Sequence, residues 1–263
     1  MQPKPAHLGD AYAAQFSDAG IVAAYHHRPP YPAETFPMLA GLITTAPRTL
    51  LDVGCGTGDI ARGLLPFVER IDAVDRSAPM IAAGRSLPSG GDPRLRWILG
   101  MVESADLSPP YALITAGESL HWMDWAVVLP RFAELLTPGG VLAMIGRQTT
   151  PEPWSAALGE IIPRYSTNRE FQPYDLTEEL TRRGLLTVQG TKTTSPVLFR
   201  QSVAGYVESF HSRNGFSRDR MMPGQAAGFD EELTHLVASF ATDGLVELQV
   251  TGRIVYGLPH RAT

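Results

Sequence analysis

Apolar residues recur along this chain in two rhythms. One is the short run: Leu50-Leu51 with Val53, Ile71 with Ala73-Val74, Leu95–Leu99, Ala112–Ala116 and Val141–Ile145. Runs this short, bounded by turn-forming residues, predict buried strands covered on both faces. The other is helical spacing: Ala33–Leu42, then Ile60, Ala61, Leu64 and Leu65, then a segment from Pro79 through Met80 and Ile81, then Val127–Leu136. Strand and helix alternate, which predicts an α/β fold with a doubly wound sheet between two helical layers. The stretch Leu87–Arg94 and Thr137-Pro138-Gly139-Gly140 are predicted turns.

Upstream and downstream the rhythm is less regular. Residues 1–10 are polar with two prolines and are expected to be mobile. Ala11–Tyr25 predicts a helix or a pair of turns, and the prolines of Tyr25-His26-His27-Arg28-Pro29-Pro30-Tyr31-Pro32 predict an extended segment. From Thr150, helices are expected over Trp154–Ile162 and Leu176–Arg183, strands over Leu185–Phe199, helices over Val203–Phe210 and Phe229–Phe240, and a long strand over Leu245–Tyr256. The organisation expected is an N-terminal lid segment at 1–32, a core at 33–149, a cap mixed with a late strand at 150–225, and a final helix and strand at 226–263 that complete the core.

Asp52-Val53-Gly54-Cys55-Gly56-Thr57-Gly58 joins the first strand to its helix. Glycine permits the tight turn and lets a ligand approach the backbone, and the unpaired N–H groups of the helix start add a polar cradle. The plainer reading is a strand-to-helix turn and nothing more. Two details sharpen it: the spacing is G-x-G-x-G, not the G-x-G-x-x-G of dinucleotide folds, and Asp52 is an acid inside a buried strand, where it needs a partner. Asp75 ends the second strand about twenty residues on, where such sheets place a carboxylate for ribose hydroxyls; as a strand-end Asp it is also a common helix cap. Ser77 competes for that cap.

DVGCGTG resembles the first motif of class I S-adenosylmethionine-dependent methyltransferases, and the resemblance runs from about Phe16 to Arg147. It implies a Rossmann-like, seven-stranded, mostly parallel sheet with the last strand antiparallel and a small cap. It implies S-adenosylmethionine as cofactor, met by Asp52, Gly54, Gly56, Asp75, Arg76, Met80, Met101, Val102, Glu103, Ala116 and Glu118. FSDAGIVAAYHHRPPYP resembles the leader of a subgroup in which Tyr25 and Arg28 close over the cofactor; on residues alone it reads as a packing strip. Met101 departs from the Asp of many relatives, and Glu103 has a second reading, tying its loop to backbone amides.

The fourth strand ends at Gly117-Glu118-Ser119-Leu120-His121-Trp122-Met123-Asp124-Trp125, the densest cluster of chemical side chains in the chain. Strand C-termini are where open α/β sheets bind ligands. SLHWMDW resembles small-molecule carboxylate methyltransferases such as the trans-aconitate and juvenile hormone acid enzymes. His121, with Tyr25, is a candidate catalytic residue, and His121, Trp122, His211 and Arg213 are candidate substrate contacts. His121 has three readings: general base, anchor for an acidic acceptor, or packing against tryptophan. Glu118 departs from the amide or small residue expected and would either repel an anion or hold the cofactor ammonium.

Composition narrows the partners. Net charge is −5 with pI about 5.8, which argues against nucleic acid and for a small-molecule acceptor. The single cysteine, Cys55, excludes an internal disulfide and a multi-cysteine metal site, and no metal is expected. No apolar run is long enough for a membrane, and MQPKPAHLGD lacks the order of a signal peptide, so a cytoplasmic monomer or homodimer is expected. The reaction expected is methyl transfer to oxygen of a carboxylate or hydroxyl. The alternatives are intramolecular displacement on the same cofactor, as in azetidine-2-carboxylate formation, and a cofactor-binding module without turnover.

Overall fold

The structure is a computed structural model that describes residues 4–261. In chain order come α1 (Asp10–Ala13), α2 (Ala19–Ala24), α3 (Thr35–Ala40), β1 (Thr49–Val53), α4 (Asp59–Leu64), β2 (Arg70–Asp75), α5 (Ala78–Ser86), β3 (Leu95–Leu99) and β4 (Tyr111–Gly117). There follow α6 (Trp125–Leu135), β5 (Leu136–Thr149), α7 (Ser155–Tyr165), α8 (Leu176–Arg182), β6 (Leu186–Thr193), β7 (Val197–Ser202), α9 (Val203–His211), α10 (Pro223–Ala238) and β8 (Leu245–Pro259). Helix starts follow the capping residues: the side chains of Ser77, Asp124, Asp175 and Ser202 each accept a backbone N–H of the first turn.

The strands order as β3-β2-β1-β4-β5-β8-β6, with β7 paired to β8 off this path. Strands β1 to β5 are parallel, and β8 runs antiparallel to β6 and β7. The expected mixed sheet is present, with β7 as an eighth strand beyond the seven anticipated. All five residues of β1 are buried, as a central strand covered on both faces requires. The predicted turn at 137–140 is instead part of β5. Between Tyr111↔Leu136 and Leu113↔Val141 the register shifts, so an irregularity in the ladder absorbs Thr137 to Gly140.

The chain forms two compact units. One contains Tyr31–Arg147, Pro173–Ser195 and the chain from Gly252 onward; the other contains the chain up to Pro30, Gln148–Gln172 and Pro196–Thr251. The expected boundaries differ from these. Residues 173–195 join the core unit, because β6 pairs with the second half of β8. α10 joins the other unit, because Phe229, Leu233 and Val237 pack there with Trp154, Tyr206 and Phe210. α10 also starts at Pro223, six residues before the helix expected from apolar spacing, with the proline in its first turn. Residues 6–13, expected in part to be mobile, are helical turns. His7 and Leu8 are buried there, and the His7 ring meets Phe171 edge-on at 5.3 Å. Residues 1–3 lie outside the described residues.

Candidate active site

In the core unit the C-terminal ends of β1, β2, β3 and β4 lie along one edge, as the pairs Val53↔Val74, Asp75↔Leu99 and Asp52↔Thr115 require. The connection order reverses between β1 and β4, and ligands of open α/β sheets bind in the crevice at that point. The glycine turn begins there. Gly54 has φ 60°, and a Cβ on it would stand 2.5 Å from Cβ of Ser119. Gly58 has φ 76°, and a Cβ there would meet the Trp97 ring at 2.4 Å. Both positions therefore require glycine for conformation and for space.

Asp75 is tied to this turn. Its Oδ2 accepts the Gly56 N–H at 2.7 Å and its Oδ1 accepts the Ser77 N–H at 2.8 Å, while Ser77 caps α5. Burial raises the Asp75 pKa, and the bonds from Ser77 and Gly56 oppose that. Asp52 is 1 % exposed, and its Oδ1 accepts the Thr115 hydroxyl at 2.8 Å. Burial pushes its pKa up to about 7; the Thr115 bond opposes this, and the charges of Asp75 and Asp59 add to it. Burial also pushes the Cys55 thiol up, with Asp75 and Asp52 adding, so the group is held as a thiol and is a poor nucleophile.

The loop after β4 is anchored at both ends. Glu118 adopts φ 51°, unusual for a residue with a side chain. Its N–H continues the ladder to Ile145 O at 2.9 Å, and its carboxylate accepts the Arg147 backbone N–H at 3.1 Å and the Arg147 guanidinium at 2.6 Å. The Arg147 guanidinium also lies over the Tyr31 ring, 4.4 Å from its centroid. Next in sequence, the Ser119 hydroxyl donates to Val53 O at 2.6 Å. His121 and Trp122 follow on a single helical turn, Leu120–Trp122, both half-buried, with ring centroids 4.6 Å apart. The Trp125 indole N–H closes that turn onto Leu120 O at 2.9 Å.

Other residues singled out by the sequence sit close by in the chain but differ in exposure. Met80, Val102 and Ala116 are buried, whereas Met101 and Arg76 are exposed. Glu103 accepts the Asp124 N–H at 3.0 Å, which is its loop-tying reading, and the Arg131 guanidinium donates to the Glu103 and Ala105 carbonyls. Nothing in the sequence pattern marks Ser119, Thr115 or Arg147 as site residues.

Four candidates belong to the other unit. The Arg28 guanidinium lies over the Tyr25 ring at 4.5 Å and donates to Ser212, to Oγ at 2.8 Å and to the carbonyl. His211 is 1 % exposed, with Nδ1 bonded to Phe216 O at 2.8 Å and Nε2 to Asp230 at 2.6 Å, so both ring nitrogens are committed to packing. Arg213 is exposed and lies over the Phe210 ring at 4.0 Å. Among the described residues no group of three or more His, Cys, Asp or Glu is placed to hold a metal ion, and no helix is long and apolar enough to cross a membrane.

Comparison with known proteins agrees with this geometry. Residues 50–140 match the family described as a methyltransferase domain. An uncharacterized methyltransferase of Mycobacterium tuberculosis is 32% identical over 151 residues, 56% of this chain and 59% of the relative. Trans-aconitate 2-methyltransferase of Methylobacterium radiotolerans is 33% identical over 161 residues, 53% of this chain and 59% of the relative. The chain thus spans about three fifths of the length of these curated relatives. A solved structure described as a type II methyltransferase, from Anaeromyxobacter dehalogenans, shares the fold with a TM-score of 0.62 at 23% identity, covering 89% of this chain and 99% of that one. Residues 50–140 thus match a methyltransferase domain, and the sheet order and the acid-flanked glycine turn are similar to those of class I S-adenosylmethionine-dependent methyltransferases.

Proposed function

We propose that this chain transfers the methyl group of S-adenosylmethionine to an oxygen of a small molecule, with a carboxylate as the preferred acceptor. The observation that carries the cofactor half is Asp75. It ends β2 beside the glycine turn, held there by backbone N–H groups of Gly56 and Ser77, and a carboxylate with about four acceptor sites keeps capacity for a ribose hydroxyl. The rest of the crevice fits the same ligand. Gly54 leaves the cradle open, and Asp75 at the end of β2 is a carboxylate suited to the edge of that cradle. Met80 and Met101 would border the adenine, with the Val102 N–H at its edge, and Ala116 and Glu118 would border the methionine portion.

The bound cofactor supplies an activated methyl group. The chain's part is alignment: holding the acceptor oxygen in line and excluding water, for which positioning alone is worth roughly 7–11 kcal/mol. A carboxylate acceptor needs no base. His121 is assigned to anchor and orient it, with Trp122 as its apolar wall. Similarity to an enzyme named for trans-aconitate, an acid, supports that choice of acceptor. The test is incubation with S-adenosylmethionine and pooled carboxylic acids, phenols and amines, followed by mass analysis. S-adenosylhomocysteine and methyl esters are expected. Release of 5′-methylthioadenosine instead would assign intramolecular displacement, and cofactor binding without any product would assign a binding module.

A further inference from the structure

The pairing of Glu118 with Arg147 sits at the rim of the cradle just described. Glu118 is the residue at which β4 leaves the sheet, and Ser119 beside it touches the glycine turn. Where the next backbone carbonyl of β4 would have received the Arg147 N–H, the Glu118 carboxylate receives it instead. The side chain thus extends the ladder while the main chain turns away with φ 51°. The Arg147 side chain is 9% exposed, gripped by Glu118 on one side and stacked on Tyr31 on another. A guanidinium so enclosed is a fixed part of the wall, and its charge and that of Glu118 cancel locally.

We propose that Arg147 is a positioning residue for methyl transfer: by gripping Glu118 it fixes the exit of β4, and with it the loop bearing His121, and it cancels a carboxylate at the rim of the crevice that would repel an acidic acceptor. This rests on the reading that the crevice holds S-adenosylmethionine. It resolves the two roles open to Glu118 from sequence: the charge neither repels an anion nor stays available as a lone counter-ion for the ammonium. It also deepens the acceptor assignment, because a neutralised rim suits a carboxylate, whereas an unpaired glutamate there would select for cations.

The charge claim has a readout that simple loss of structure does not imitate. S-adenosylmethionine carries a sulfonium cation that S-adenosylhomocysteine lacks, so the ratio of their affinities reports local charge. Calorimetry is run with both ligands on wild type, Arg147→Gln, Glu118→Gln and the double variant. Arg147→Gln removes the positive charge from beside the carboxylate and is expected to shift the ratio toward S-adenosylmethionine about tenfold. Glu118→Gln removes the negative charge from beside the guanidinium and should shift it the other way; the double variant should return near wild type. Hydrogen exchange over residues 117–124 should quicken in Arg147→Gln and also in Arg147→Lys, which restores the charge but not the planar grip. An unchanged ratio in both single variants overturns the proposal, as does a shift of the same sign in both. If Arg147→Gln does not fold, Glu118→Gln decides by the sign of its own shift. Failure of wild type to bind either ligand overturns the cofactor reading itself.

Discussion

The Ser119 hydroxyl donates to the Val53 carbonyl at 2.6 Å, so the exit of β4 is fastened to the exit of β1 directly above Gly54. Two loops that carry different halves of the proposed chemistry are thereby one rigid piece. Gly54→Ala should disrupt both. The new methyl would overlap Ser119, and φ 60° costs an L-residue about 1–2 kcal/mol by itself. Lower thermal stability and at least tenfold weaker binding of S-adenosylhomocysteine are expected. Adding Ser119→Gly should relieve the overlap and recover part of the melting temperature, leaving the backbone strain. No recovery in the double variant would show that Ser119 is not what confines residue 54.

Asp75→Ala removes the acceptor for the Gly56 and Ser77 amides and for the proposed ribose. A charge-assisted hydrogen bond is worth about 1.5–3 kcal/mol, so cofactor affinity should fall roughly ten- to hundred-fold. Because burial raises the Asp75 pKa, wild-type affinity should also decline on acidification earlier than an ordinary carboxylate would dictate. Titration calorimetry at several pH values checks both statements; unchanged affinity in a folded variant takes Asp75 out of the site.

Asp52 links the site to stability. Its folded pKa of about 7 lies above the ordinary 3.8, so the folded chain holds this proton more tightly than the unfolded one. Its contribution to stability is complete below 3.8 and is lost as pH rises through about 7. The full span is on the order of 4 kcal/mol, as an upper figure. Asp52→Asn keeps an acceptor for Thr115 and cannot ionise. Its melting temperature relative to wild type should therefore improve from pH 5 to about pH 7 and level off above that. A difference that does not vary with pH would mean that Asp52 titrates as an ordinary carboxylate.

What the sequence made legible was what is local in the chain. The glycine turn, Asp52 and Asp75 declare themselves through spacing, and the strands from β1 to β5 through apolar runs. The contacts that shape the site are not local. Ser119 reaches Val53 across 66 residues and Arg147 reaches Glu118 across 29, and nothing in the composition of either segment marks its partner. The same reason accounts for the unit boundaries. β8 is one continuous periodic strand, but its first half pairs with β7 and its second with β6, so residues on either side of β7 sort into different units. His211 shows the opposite error. A histidine beside Ser and Arg looks chemical in sequence, and only the burial of both ring nitrogens against Phe216 and Asp230 reveals a packing role.

His121 decides the acceptor. It lies two residues past the Ser119 anchor, on a turn closed by Trp125, so its backbone is held while its ring stays half-exposed beside Trp122. If it anchors an acidic acceptor, the imidazolium is the useful form, and acceptor affinity should weaken as pH rises through the range in which imidazole loses its proton. His121→Asn should then raise KM for the acid about ten- to hundred-fold, in keeping with loss of a charged hydrogen bond, while S-adenosylhomocysteine affinity stays near wild type. A general base behaves oppositely: turnover would rise with pH, and the variant would lose about 10²–10⁴-fold in rate with KM little changed. A histidine that only packs against Trp122 would lower the melting temperature more than either constant. Steady-state kinetics of wild type and His121→Asn across pH, with a melting curve for each, separates the three. A pH-independent KM together with a large loss of kcat would move the assignment from anchor to base, and with it the acceptor from a carboxylate to a hydroxyl.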